Sequence, residues 1–114
     1  MAERQRGVCC QVEIPITPSV ARETSDLLKT VSDPTRLSML TTLYTAQQPV
    51  CICDFTAAYD LGQPTISHHM GKLRKAGLVS ARKKGIWVYY TLAQPLPAAM
   101  KVLLEAIVAS VPPV

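Results

Sequence analysis

What this 114-residue chain lacks narrows its possible functions before any motif is considered. No apolar run approaches the roughly 20 residues needed to cross a bilayer. The nearest candidate, "AAMKVLLEAIVASV" from Ala98 to Val111, is broken by Lys101 and Glu105 and reads as a helix that packs on something. The opening "MAERQRG" runs into no apolar stretch of the kind a secretion signal needs, so a cytoplasmic location is expected. Cysteine occurs only four times, as an adjacent pair (Cys9, Cys10) and an alternate pair (Cys51, Cys53). Thiols stay reduced in the cytoplasm, which argues against a disulfide framework and leaves metal binding, redox chemistry or burial. There is no C-x-x-C, no Gly-rich phosphate cradle around a cysteine and no Cys/His/Asp arrangement, so the chain offers little to a thiol enzyme. Internal repeats and low-complexity segments are also missing.

The most informative gap is in negative charge. From Leu61 to Leu104 there is no Asp or Glu, while Lys72, Arg74, Lys75, Arg82, Lys83, Lys84 and Lys101 are all basic. The rest of the chain holds five basic and eight acidic residues, so the modest net charge of +4 hides a strong asymmetry. An ordinary solvated surface intersperses the two signs. A one-signed stretch of this length points to a polyanion on one face.

What is present fits one domain, 19–111, preceded by an arm, 1–18, that carries the vicinal cysteines. Val20, Thr24, Leu27, Leu28 and Val31 recur at helical spacing and predict a first helix. "SDPTRL" stops it and starts a second, with Asp33 as N-cap and Pro34 in the first helical position, turning Leu37, Leu40, Leu43 and Tyr44 inward. A short third helix is expected from near Val50 to just before "DLGQP". The fourth, "PTISHHMGKLRKAG", has Ile66, Met70 and Leu73 on one stripe and Gly77 where a left-handed cap belongs. "LVSARKKGIWVYYTL" then alternates with period two and reads as a β-hairpin with "KKG" at its basic turn. A last helix from about Pro97 is expected to bury Met100, Leu103, Leu104 and Ile107.

That order gives a mainly α fold with a β-hairpin wing, a winged helix-turn-helix, in which the polar face of the fourth helix enters the DNA major groove. Gln63, Thr65, Ser67 and His68 are suited to base edges, and Lys72, Lys75, Lys83 and Lys84 to phosphates. "SDPTRLSML", "CICDF", "GQPTISHHMGKLRKAGLV" and "RKKGIWVYYTL" together resemble the ArsR/SmtB family of bacterial metal-sensing repressors over residues 19 to about 110. The resemblance implies a homodimer built on the first and last helices, an inverted-repeat operator, and release by a metal or metalloid. The "C-x-C-D" box is similar to that family's arsenic and cadmium sites, and vicinal arm cysteines are similar to those of some arsenical sensors. Such sensors often carry a further cysteine three positions after the box, where this chain has Thr56.

The ligand set remains open between two stoichiometries. Residues two apart on a regular helix point to nearly opposite sides, so Cys51 and Cys53 share an ion only if the helix starts between them or distorts. Cys51, nearer the positive end of the helix dipole, is the favoured partner of Cys9 and Cys10, and three thiolates suit As(III) or Sb(III). With Cys53 included, four suit Cd(II), Pb(II) or Zn(II). His68 and His69 are the only histidines, one expected toward DNA and the other toward the domain; the last helix has Glu105 but no histidine for a zinc site. From other classes, an arsenate-reducing thiol enzyme lacks its motifs, a metal carrier leaves the polar helix and hairpin unexplained, and a thiol redox switch competes for the cysteines.

Overall fold

The computed structural model describes Arg6, Gly7, Cys9 and residues 11–112. Its elements run α1 (Pro18–Val31), α2 (Pro34–Ala46), β1 (Val50–Cys51), α3 (Ile52–Tyr59), α4 (Gln63–Lys75), β2 (Val79–Lys84), β3 (Trp87–Leu92) and α5 (Ala98–Ser110). The described residues before α1 form neither helix nor strand.

Local chemistry sets the helix starts. The Thr17 hydroxyl accepts the Val20 amide at 3.2 Å ahead of Pro18, and the Asp33 carboxylate accepts the Arg36 amide at 2.9 Å ahead of Pro34. In both, proline fills a position whose amide would have no helical partner. α3 ends at Tyr59 with Asp60 as its cap in a left-handed conformation (φ 51°), and α4 starts three residues after it, at Gln63. The core gathers around α2: Met39, Leu40 and Leu43 meet Ile52 and Phe55 of α3, Ile66, Met70 and Leu73 of α4, and Met100 and Leu104 of α5. Tyr90 closes it from the sheet, with its ring edge-on to Phe55 at 6.4 Å.

Four expectations need correction. The stretch from Val50 begins as a strand, because Val50 and Cys51 pair antiparallel with Tyr90 and Tyr89, and the hairpin becomes a three-stranded sheet in the order β1-β3-β2. Lys83 and Lys84 belong to β2, opposite Val88 and Trp87, so the turn is the two residues Gly85 and Ile86. Ile86 therefore sits at the tip, 84% exposed. On α5 only Met100 and Leu104 are fully buried; Leu103 and Ile107 are half-covered, and Val102 faces out. α1 likewise buries only Val31 and exposes Val20 and Leu28.

The Asp33 cap links stability to pH. The Arg36 amide hydrogen bond holds its carboxyl below the ordinary aspartate range, partial desolvation opposes this, and the Arg36 and His69 charges reinforce it. A carboxyl with a depressed folded-state pKa stabilises above its unfolded value and loses that contribution as pH falls through the folded value. Asp33→Ala should therefore lower the melting temperature by a few degrees at neutral pH, with the gap to wild type narrowing in acid. A gap that stays constant into strong acid would show that the charge contributes nothing to the cap.

Candidate nucleic-acid interface and thiol pair

The apolar stripe of α4 fixes which side chains face outward. With Ile66, Met70 and Leu73 locked in the core, Gln63, Thr65, Ser67, His68, Lys72 and Lys75 are all exposed. The two histidines diverge as their spacing requires. His68 faces out, whereas half-buried His69 brings Nδ1 to 3.4 Å from Nη1 of Arg36. Arg36 also donates from Nε to the Thr30 carbonyl at 2.7 Å, so one guanidinium joins α1, α2 and α4. Tyr59 braces α3 in turn: its hydroxyl lies 2.7 Å from that of Ser38 and 3.1 Å from that of Thr42, both on α2.

The hairpin is anchored to the end of α4. Gly77 adopts φ 78°, a conformation costly for a residue with Cβ, and lets the Leu78 amide donate to the Leu73 carbonyl at 3.0 Å. β2 then leaves with Arg82, Lys83 and Lys84 exposed. Arg74 and Arg82, which motif reasoning left out of the contact set, are exposed on the same two elements. Their signal was the acid-free stretch itself. Small donors on a helix face, flanked by cations on that helix and on a hairpin fixed to it, form a surface chemically matched to base edges bordered by phosphates.

The thiols of the C-x-C pair lie where β1 meets α3, Cys51 buried and Cys53 exposed. Cys51 is both the last residue of β1 and the N-cap of α3; it is 5% exposed, and its amide donates to the Asp54 carboxylate at 3.2 Å. Because α3 starts at Ile52, between the two cysteines, their side chains do not diverge. The Cys53 thiol reaches the Cys51 sulfur at 2.8 Å. That hydrogen bond is the main cause pushing the Cys53 pKa up, followed by desolvation and then by the Cys51 and Asp54 charges. Two thiolates on one tetrahedral ion, each about 2.3 Å away, stand roughly 3.8 Å apart, so the pair would have to open by about 1 Å to chelate. Among the described residues no group of three or more His, Cys, Asp or Glu converges on one point. Cys9 is exposed on the arm, and Cys10 lies outside the described residues.

The protein-family match described as bacterial regulatory protein, arsR family, covers residues 33–81, from the α2 cap into β2. The arsenic resistance transcriptional regulator ArsR1 of Pseudomonas putida is 39% identical over 82 residues, 72% of this chain and 63% of that protein, just under two thirds of its length. The arsenical resistance operon repressor of Escherichia coli is 42% identical over 81 residues, 70% of this chain and 68% of that one. Among solved structures, HlyU from Vibrio cholerae superposes with a TM-score of 0.70 at 26% identity, covering 80% of this chain and 94% of its own. With residues 33–81 matching the family and a 42%-identical relative covered over two thirds of its length, the chain belongs to the ArsR family of winged helix-turn-helix DNA-binding transcriptional regulators.

Proposed function

We propose that the protein is a cytoplasmic homodimeric repressor that occupies an inverted-repeat operator and is released when As(III) or Sb(III) binds its cysteine thiolates. The observation that carries this reading is the Cys51–Cys53 pair, sulfurs 2.8 Å apart at the point where the wing sheet meets α3. An ion held there binds one arrangement of these elements better than another, which is the requirement for a ligand to change DNA affinity. A coupling of about 2–3 kcal/mol gives a roughly 30- to 150-fold effect. Relatives named for arsenic resistance support the choice of ligand. The uncovered apolar residues of α1 and α5 support the dimer, because Val20, Leu28 and Val102 lie exposed on these two helices.

The 2.8 Å sulfur separation supports counting Cys53 beside Cys51 as a ligand, with the third thiolate for As(III) supplied by Cys9 or Cys10 from the arm, residues 1–18. With all four engaged, the site suits tetrahedral Cd(II), Pb(II) or Zn(II), the second reading that the same pair favours. The arm leads into α1, at the proposed dimer interface, so its cysteines would meet the α3 of the other subunit. The nine residues from Cys10 to Ser19 reach at most about 30 Å, enough for that crossing.

The cysteine series tests the ligand set. Cys51→Ser and Cys53→Ser should each bind operator normally and fail to release it with As(III), and Cys9→Ser/Cys10→Ser should behave likewise. Retained release in Cys53→Ser would return the site to Cys9, Cys10 and Cys51. A mixed dimer of the Cys9→Ser/Cys10→Ser chain with a Cys51→Ser chain should bind one As(III) if sites are shared between subunits, and none if each lies within one chain.

Substitutions on the DNA side separate positioning from reading. Lys84→Ala should weaken all duplexes alike and reduce the salt dependence by about one phosphate contact. Ser67→Ala should instead narrow the preference for operator over random DNA, and equal loss on both would place Ser67 outside the groove.

A further inference from the structure

The tip of the wing carries a side chain that neither its turn nor its surroundings call for. Gly85 has φ 63° and Ile86 does not share the positive φ, the arrangement of a two-residue II′ hairpin. The second position of such turns usually takes Asn, Asp or Ser. Here it holds an isoleucine that is 84% exposed, with Trp87 beside it 48% exposed. Arg82, Lys83 and Lys84 flank this apolar tip, and no acid lies anywhere from Leu61 to Leu104. An isoleucine left in water at a turn tip contributes no burial to the fold. A hairpin pressed by its cations against a phosphate backbone would bring Ile86 to whatever lies between the phosphates.

Geometry identifies that neighbour. The hairpin root is hydrogen-bonded to the end of α4 through Leu78 and Leu73, so the tip keeps a fixed place relative to the groove-facing helix. The six residues of β2 extend about 20 Å, enough to carry the tip from a helix in the major groove past the adjoining phosphates to the next minor groove. We infer that Ile86 is a minor-groove reader, an apolar wedge that favours A·T pairs flanking the half-site contacted by α4. The chemistry of the preference is direct. A G·C pair projects the guanine 2-amino group into the minor groove, and an isoleucine laid over it removes water from that donor without replacing the hydrogen bond. An A·T pair presents no such group, and apolar side chains at minor-groove steps are an established means of bending a duplex.

This inference rests on the DNA-binding reading above, and one experiment separates the two. A duplex selected from a random library by the wild-type protein is remade with each flanking pair in turn as A·T, G·C or inosine·cytosine, the last lacking the 2-amino group. At the wing position the wild-type protein should bind the G·C duplex roughly tenfold more weakly than the A·T duplex, with inosine·cytosine restoring affinity. Ile86→Ser should bind all three alike with an unchanged salt slope, unlike Lys84→Ala. If the wild-type protein selects an inverted repeat but no flanking position responds to the 2-amino group, or if Ile86→Ser discriminates as well as wild type, the wedge is wrong and the repressor reading stands. If the wild-type protein selects no sequence at all, the DNA-binding reading fails first.

Discussion

Two residues of β-ladder tie the wing sheet to the start of α3, where the thiol pair sits. Val50 and Cys51 pair with Tyr90 and Tyr89 of β3, and in the next residue the chain turns into α3 with Cys51 as its cap. The thiol pair is thereby part of the wing sheet and of the helix-turn-helix at once. Phe55 reinforces the junction from α3 by meeting the edge of Tyr90, the partner of Val50. Under the proposed function, opening the two sulfurs to accept an ion would act on the first turn of α3 and on β1 together, because Cys51 belongs to both. Tightly packed elements respond to such a displacement by switching between arrangements rather than by deforming smoothly.

Much of this architecture was legible because its determinants are local. "SDPTRL" specifies a cap and a helix start within six residues, and the Ile66, Met70 and Leu73 stripe with Gly77 defines α4 together with its exposed face. What escaped was nonlocal. β1 is too short to show a period of two, and its strand character comes from β3, nearly forty residues later. The cysteine geometry turned on the same point. A helix beginning at Val50 would splay Cys51 and Cys53 apart, and one beginning at Ile52 brings them together. A shift of two residues in a boundary thus changed the number of thiols able to share an ion. Helix starts are set by such competitions between pairing and capping, which makes them harder to read than helix existence.

The faces of α1 and α5 escaped for a different reason. Their apolar spacing is that of core helices, yet Val20, Leu28 and Val102 stay exposed in the single chain. Hydrophobic periodicity records that a face is covered and is silent on whether the cover is the chain's own core or a second copy. Charge was easier to interpret, because an acid-free stretch has no role in a core. Its seven cations fall on α4, the hairpin and α5, and those on α4 and the hairpin border the proposed groove-facing residues.

Those same cations explain why a modest ligand effect would suffice. Phosphate contacts carry much of the affinity and are spread over many cations, so a switch that worked by weakening them would need to break many at once. A homodimer on an inverted repeat offers a more sensitive target, since each half-site engages only if its partner remains in register. Two linked weak contacts exceed either alone by an effective-concentration factor that collapses when geometry forbids simultaneous engagement. The junction at Cys51 joins α3, which packs on α4, to β3 of the wing, so under the proposed function one ion per subunit would bear on both elements at once. Each half-site could then remain intact while the spacing between the two is lost, and release would follow without any charge leaving the surface.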